Sequence, residues 1–208
     1  MDILDIIDIK VYIYYLHFKL LYYTIYTKSF KEEFLLILTT KRLLLRPWEE
    51  KDAESLYKIA KDPDVLPAAG GMVHANVDFS LKFIKYRLSK EETYAIVLRN
   101  ESTPIGNIAL KIEKFNKNTK ETELAFWLSK EYWGQGIILE AIKEILKHCL
   151  NNLKIETVWC GFYEGNVKCK RVLEKAGFKY DHTIKNYPCN IMSEYKTAYF
   201  MKFDLQSG

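Results

Sequence analysis

Trp133-Gly134-Gln135-Gly136-Ile137-Ile138-Leu139-Glu140-Ala141 is a glycine-containing turn between a predicted strand and a predicted amphipathic helix. Its glycines let the backbone approach a ligand closely, and the free amides of a helix N-terminus favour an anion such as a pyrophosphate. The further Gly, Lys and Ser/Thr positions of a P-loop or a dinucleotide fingerprint are absent. Taken alone, the stretch fits either a phosphate site or an ordinary strand-to-helix turn.

The segments on both sides of this turn predict alternating strands and helices. Upstream, Tyr94–Leu98, Ile105–Phe115 and Glu123–Leu128 are strand-type runs joined by short polar turns, which predicts an antiparallel meander. Downstream, apolar residues recur at helical spacing from Ile138 to Cys149. Thr157–Tyr163 is the next predicted strand.

Further strands and helices are predicted before and after this region. A short strand, Arg42–Arg46, is closed by Pro47 and is followed by two helices, Glu49–Lys61 and one that Asn76 can cap. After the fifth predicted strand come a short basic helix, Asn166–Lys175, and a final strand around Tyr195–Phe203.

The first 38 residues differ in composition from the rest of the chain. They lack Gly, Pro and Ala, and six of the fifteen tyrosines lie between Tyr12 and Tyr26. The apolar run Val11–Tyr26 is too short to span a bilayer and contains His17 and Lys19, so stable membrane insertion is not expected. A partner helix, an extra element packed on the domain, and translated sequence upstream of the true start all remain open. We expect an extension at residues 1–38 and a catalytic domain at residues 39–206.

Composition excludes several classes of protein. The 49% hydrophobic and 28% charged residues are ordinary for a globular domain. A net charge of +4 is far below that of a surface devoted to nucleic acid, and no nucleic-acid partner is expected. The four cysteines have no CxxC spacing and no secretory signal precedes them, which favours free thiols in a cytoplasmic protein without a metal site.

A second motif decides how the glycine turn is interpreted. Gly165-Asn166-Val167-Lys168-Cys169-Lys170-Arg171-Val172-Leu173-Glu174-Lys175-Ala176-Gly177-Phe178 follows the fifth predicted strand. Together with the glycine turn it resembles the acetyl-CoA site of the GNAT superfamily, in the branch of ribosomal-protein N-terminal (alanine) acetyltransferases. Arg42-Leu43-Leu44-Leu45-Arg46-Pro47 and Pro104-Ile105-Gly106 match the same branch, so the resemblance covers about four-fifths of the chain.

The resemblance implies an α/β (α+β) single domain, with a GNAT-type mixed, mostly antiparallel central sheet flanked by helices. It also implies that acetyl-CoA is the co-substrate. Backbone groups of two strand residues and Asn166 would bind the pantetheine arm, the turn amides would bind the pyrophosphate, and the basic helix would meet phosphates unless it is only a solvated face. The implied contacts are Phe126, Leu128, Trp133, Gly134, Gln135, Gly136, Ile137, Ile138, Asn166, Lys168 and Arg171, with Lys170 beside them.

Two residues are implied in catalysis. Glu123 stands where some family members have a carboxylate base that acts directly or through water, although it could also be structural. Cys169 replaces the usual Ser of Asn-x-x-Ser, which is thought to protonate the departing thiolate. Cys169 is therefore a proton donor or a small core residue; a covalent acetyl-cysteine is the minor alternative. Ile138 also departs from the family, which usually has Gly or Ala there.

The acceptor is the least specified part. In the superfamily the loop between the first two helices, here Leu66–His74, forms one wall of the acceptor cleft, and Tyr187–Glu194 is expected to form another. His74 and Glu194 are the candidate acceptor ligands. The favoured function is N-acetylation of a peptide N-terminus or small amine by a monomer or homodimer. An acetyl-CoA-binding module without turnover is the alternative, and a membrane-associated scaffold is a third.

Overall fold

A computed structural model describes residues 36–112, 120–189 and 194–205 of the chain. Predictions for residues 1–35 lie outside this described part. Its strands are β1 (Leu38–Thr39), β2 (Leu43–Arg46), β3 (Thr93–Leu98), β4 (Pro104–Leu110), β5 (Glu121–Leu128), β6 (Thr157–Tyr163), β7 (Lys179–Cys189) and β8 (Glu194–Asp204).

Within these residues the eight strands form one sheet in the order β1-β2-β3-β4-β5-β6-β8-β7. Every neighbouring pair is antiparallel except β5 with β6, which run parallel. The predicted mixed, mostly antiparallel sheet is therefore confirmed. The chain reaches β6 from β5 through a helix, as a parallel connection requires.

Two strands of the described sheet, the two-residue β1 and the long β7, were not predicted from the sequence. β7 lies at the edge of the sheet, and its register with β8 shifts twice. Nearly all of its residues are exposed or half-buried, so neither continuous hydrophobicity nor clean alternation marks it. The predicted final strand corresponds to β8.

Four α-helices flank the described sheet. They are α1 (Ala53–Ala60), α2 (Val77–Phe83), α3 (Ile137–His148) and α4 (Val167–Ala176). The predicted cap of α2 is confirmed, because Asn76 Oδ1 accepts a bond from the Phe79 N–H at 2.8 Å. One wider turn extends α2 (Ile84–Leu88) and another extends α3 (Cys149–Leu153).

The helices cover opposite faces of the sheet. One core cluster unites α1 and α2 with strand residues such as Ala95 and Val97. The other unites α3 and α4 with residues of the opposite strand face, such as Ile96, Ile108 and Leu124. This three-layer arrangement leaves the ends of β5 and β6 between the two helix pairs.

A buried polar network closes the end of α3. His148 Nε2 lies 2.9 Å from Glu92 Oε2, and the Tyr94 hydroxyl donates to the same carboxylate oxygen at 2.9 Å. His148 Nδ1 contacts Asn152 Oδ1 at 3.1 Å. Burial lowers the pKa of His148, but the bond to Glu92 and its charge outweigh burial, so the pKa of His148 is raised overall.

We expect this network to make stability depend on pH. Because the folded pKa of His148 exceeds the unfolded value of about 6.5, the stabilisation is complete below that pH and is lost as pH rises through the folded pKa. Urea unfolding from pH 6 to 8.5 should show a falling free energy of unfolding. Glu92→Gln should cost about 2 kcal/mol at pH 6 and flatten this fall. An equal fall in both proteins would contradict the assignment.

In the described part of the chain, no helix is both long and apolar enough to cross a membrane.

Candidate active site

The strands β5 and β6 separate after a short parallel segment. Over the residues described, their pairing ends at Glu123 opposite Trp159, although β5 continues to Leu128 and β6 to Tyr163. Beyond this point β5 remains paired with β4, and β6 with β8. The two strands therefore form a fork whose facing backbone edges can bond to a ligand.

The two strand residues predicted to bind the pantetheine arm lie along the β5 side of this fork. Phe126 pairs with Ile108 of β4 and Leu128 pairs with Gly106. The Leu128 carbonyl also accepts a bond from Trp133 Nε1 at 2.8 Å. A ligand that bonds to the Leu128 backbone must therefore share its carbonyl oxygen with Trp133 or accept a hydrogen bond from its N–H.

The glycine turn follows β5 after a short 3-10 turn, Lys130–Tyr132, and opens α3. Gly134 and Gly136 have φ of +79° and +75°, a left-handed conformation that side chains disfavour. A Cβ at Gly134 would meet no atom within 4 Å, and one at Gly136 would meet only Arg42 Nη2 at 3.8 Å. The turn therefore has the room and the helix N-terminal amides that a phosphate needs.

Ile138 does not crowd this turn. It is the second residue of α3, and its side chain is buried in the core cluster beneath the helix. The helical register thus directs the branched side chain of Ile138 away from the exposed glycines. The glycine turn therefore stays open although the family usually has Gly or Ala at this position.

Arg42 is a residue whose position the sequence did not reveal. Its Nε pairs with Glu140 Oε2 at 2.7 Å, and its Nη1 donates to the Gln135 carbonyl at 3.1 Å. Burial raises the pKa of Glu140, but bonds from Thr40 and Arg42 outweigh it and lower that pKa overall. Arg42 therefore holds the first turn of α3 through a contact between residues 98 positions apart, and its guanidinium, paired with Glu140, lies beside the glycine turn.

Two contacts bridge the fork from α4. Lys168 Nζ lies over the Trp133 ring, 3.8 Å from its centroid, which is a cation–π contact. Asn166 caps α4 by accepting the Cys169 N–H at 3.1 Å, while its Nδ2 donates to the Ala68 carbonyl at 3.1 Å. Asn166 thus ties the helix to the loop between α1 and α2. Lys170 and Arg171 are exposed on α4.

Both predicted catalytic residues influence the pKa of the buried Cys160 thiol. Glu123, at the fork point, forms an ion pair with Lys111 of the preceding segment. A hydrogen bond with Cys169, burial, and the nearby charges of Cys169 and Glu123 raise the pKa of Cys160 well above its usual value. Cys169 itself is half-buried in the first turn of α4.

The candidate acceptor ligands differ in exposure. His74 is 2% exposed, its Nδ1 bonds Ser80 Oγ at 2.8 Å, and its ring lies against Phe79 and Phe83. It belongs to the packing of α2 rather than to an open surface. Its Nε2 is buried without a hydrogen-bond partner among the described atoms, and burial lowers the pKa of His74.

Glu194 begins β8 and is exposed, with its carboxylate 3.3 Å from Lys196 Nζ. The segment just before it, residues 190–193, lies outside the described residues. The predicted roles of His74 and Glu194 in acceptor binding therefore stay predictions.

The loop between α1 and α2 closes on the far end of β6. A Cβ at Gly70 would lie 3.2 Å from the Tyr163 ring and hydroxyl. Burial and a bond to Cys189 raise the pKa of Tyr163 to about 12, so it stays protonated near neutral pH. This loop therefore lies against the end of β6, and its predicted role as an acceptor wall stays a prediction.

Across the three described ranges, no group of three or more His, Cys, Asp or Glu side chains is placed to hold a metal ion. The predicted absence of a metal requirement stays a prediction.

A family profile and a curated relative both match most of the described domain. The family profile described as "Acetyltransferase (GNAT) domain" matches residues 42–179. A Bacillus subtilis (strain 168) protein named "Uncharacterized N-acetyltransferase YnaD" is 27% identical over 142 residues, which cover 68% of this chain and 82% of that protein.

Solved structures share the fold. A GNAT-family acetyltransferase from Bacillus anthracis matches with a TM-score of 0.72 at 21% identity, over 82% of this chain and 99% of that chain. RimL, a ribosomal alpha-N-protein acetyltransferase in complex with coenzyme A, matches with a TM-score of 0.67 at 14% identity, over 83% and 100%. At these identities the structural matches establish the fold.

Proposed function

This chain belongs to the GNAT acetyltransferase family, and we propose that it transfers the acetyl group of acetyl-CoA directly to a primary amine in a ternary complex. The fork carries this proposal: β5 and β6 part at Glu123 and Trp159, and the glycine turn lies where β5 ends. An extended thioester arm fits between the strand edges while its anionic end meets the turn.

The residues that would hold acetyl-CoA follow from this placement. The amides from Gly134 to Ile138 face the pyrophosphate, and the Arg42 guanidinium, paired with Glu140, lies beside them with N–H groups that can donate to a phosphate oxygen. Phe126, Leu128 and Asn166 flank the pantetheine arm. Trp133 holds the Lys168 ammonium at the mouth of the fork, so that this cation is already positioned for a phosphate. Gln135, Ile137 and Arg171 complete the proposed contacts.

The proposed chemistry needs a proton acceptor and a proton donor. Acetyl-CoA supplies an activated acyl group, and the amine must lose a proton as it attacks. Glu123 at the fork point accepts that proton directly or through water, and Lys111 keeps the carboxylate in place. Cys169, on the opposite side of the fork, donates its thiol proton to the sulfur that leaves. The two groups thus act on opposite sides of the reacting carbon.

A second candidate is an acetyl-CoA-binding module without turnover. Two observations favour it: the Glu123 carboxylate is already paired with Lys111, and a thiol replaces the family hydroxyl at Cys169. Thiol release from acetyl-CoA, measured over a panel of small amines and N-terminal peptides, tests the proposal. Release with at least one amine supports catalysis, whereas binding without release across the panel favours the module.

We expect residues 1–36 to be dispensable for turnover. The matched family region begins at residue 42, and Leu38 already pairs with Leu45 of β2. A version starting at Ile37 preserves that pair and should turn over within about threefold of the full chain, a change below 0.7 kcal/mol in activation free energy. A folded truncation that binds acetyl-CoA and yet loses all turnover would refute this expectation.

A further inference from the structure

An aromatic row crosses the sheet beside the fork. It consists of Trp159 on β6, His182 and Tyr187 on β7, and Phe200 on β8. His182 stacks on Phe200 with ring centroids 4.8 Å apart and planes 8° apart. Trp159 meets His182 edge-on at 5.9 Å, and Tyr187 meets Phe200 edge-on at 5.5 Å. These side chains are exposed or half-buried, so the row presents rings at the surface of the sheet.

The row starts at the fork point. Trp159 is the Cα partner of Glu123, the last paired position of β5. In paired strands, facing residues project to the same side of the sheet, so the proposed base and the first ring of the row are neighbours. On β6 this side is the one opposite Val158 and Cys160, which are buried beneath α3 and α4.

Gly161 has no side chain, which leaves room for the Phe200 ring on the side of the row nearest the fork. Gly161 follows the fork point on the same strand face and pairs with Phe200. A Cβ at Gly161 would lie 2.9 Å from Phe200 Cε1, so the ring covers the space that any other residue would occupy. The floor beside the fork is therefore an aromatic ring rather than a β6 side chain.

Three carboxylates around the row already have partners within the chain. Asp181 binds His182 Nδ1 at 2.7 Å and Lys202 at 3.3 Å. Glu121 accepts a bond from Trp159 Nε1 at 3.3 Å, and Glu123 pairs with Lys111. Recognition along the row therefore depends on stacking more than on ion pairing, which disfavours a polyamine as acceptor.

We infer that the acceptor amine carries an aromatic group, which stacks on the row Trp159–His182–Phe200–Tyr187 while the amine lies beside Glu123. This inference rests on the proposed function and names the substrate class of the same site. A small arylalkylamine and a peptide with an aromatic residue next to its N-terminus share this chemistry.

The test measures binding to the full chain saturated with CoA, so that it does not depend on turnover. One pair of probes is 2-phenylethylamine and hexylamine; the other is a tetrapeptide beginning Ala-Phe and its Ala-Leu counterpart. We expect the dissociation constant of the aromatic member to be about tenfold lower in at least one pair, equivalent to about 1.4 kcal/mol. The pair that shows this preference identifies the source of the ring.

Variants of residues in the row test whether the row causes the preference for the aromatic probe. Phe200→Leu and, separately, Tyr187→Leu keep apolar volume but remove a ring, and each should reduce the ratio to threefold or less. Tyr180→Leu is the matched control, because Tyr180 is an exposed β7 aromatic in the groove beside α4, on the other face. It should leave the ratio unchanged.

The outcomes separate the two proposals. Equal binding of both members in both pairs overturns the inference, and so does a preference that survives Phe200→Leu and Tyr187→Leu. Acetyl transfer without any aromatic preference leaves the proposed function standing and removes the inference. An aromatic preference that depends on Phe200, without acetyl transfer to any amine, supports the inference and removes the proposed function.

Discussion

Gly136→Asp should weaken acetyl-CoA binding by about a hundredfold or more. Gly136 caps α3 with φ of +75°, and the amides that follow it are the proposed pyrophosphate ligands. A carboxylate beside these amides would repel the pyrophosphate; in general, two like unit charges about 5 Å apart repel by about 3 kcal/mol at an effective dielectric constant near 20. Calorimetric titration of acetyl-CoA into the full chain measures the loss.

Gly136→Asn is the matched control. Asparagine has nearly the shape of aspartate, tolerates left-handed backbone better than most residues, and adds no charge. We expect it to bind acetyl-CoA much better than Gly136→Asp, while both variants unfold at similar temperatures. A folded Gly136→Asp protein with unchanged affinity would remove the glycine turn from the site.

Cys169→Ala should lower the rate of acetyl transfer by about a hundredfold, the lower part of the range for losing a general acid. Cys169→Ser should retain much of the rate, because a hydroxyl also donates a proton to the leaving sulfur. Acetyl-CoA affinity should barely change in either variant. Single-turnover rates with saturating acetyl-CoA separate this chemical effect from binding.

The half-buried position of Cys169 near the Cys160 thiol supplies the opposing expectation. If Cys169 only fills space against that thiol, Ala and Ser should mainly lower thermal stability and leave similar rates. A covalent route would instead leave an acetylated protein after incubation with acetyl-CoA alone, detectable by intact mass. Equal rates in all three proteins, with no added acetyl mass, would exclude Cys169 from the mechanism.

The sequence predicted the elements that repeat a clear pattern. The strands of the meander have apolar runs of strand length, and α3 has a strong helical periodicity, so their existence and order were confirmed. Asn76 is a local signal because its side chain caps the helix that directly follows it. The mixed sheet, by contrast, was expected from the family resemblance.

Features that depend on distant residues could not be read from local patterns. The contact of Arg42 with Glu140 joins a strand to a helix far along the chain, and no spacing rule announces it. The aromatic row needs the register of three strands, one of which, β7, has no regular hydrophobic alternation. His74 lay in a predicted loop, but the packing of Phe79 and Phe83 around it makes it buried.

The central claim is tested most directly by following the acetyl group itself. The full chain is incubated with acetyl-CoA carrying a ¹³C-labelled acetyl group and a panel of amines and N-terminal peptides, and the products are analysed by mass spectrometry. We predict that the label appears as an amide on at least one acceptor, that free CoA forms in equal amount, and that the protein stays unlabelled. Bound acetyl-CoA with no labelled amide on any acceptor would contradict the account.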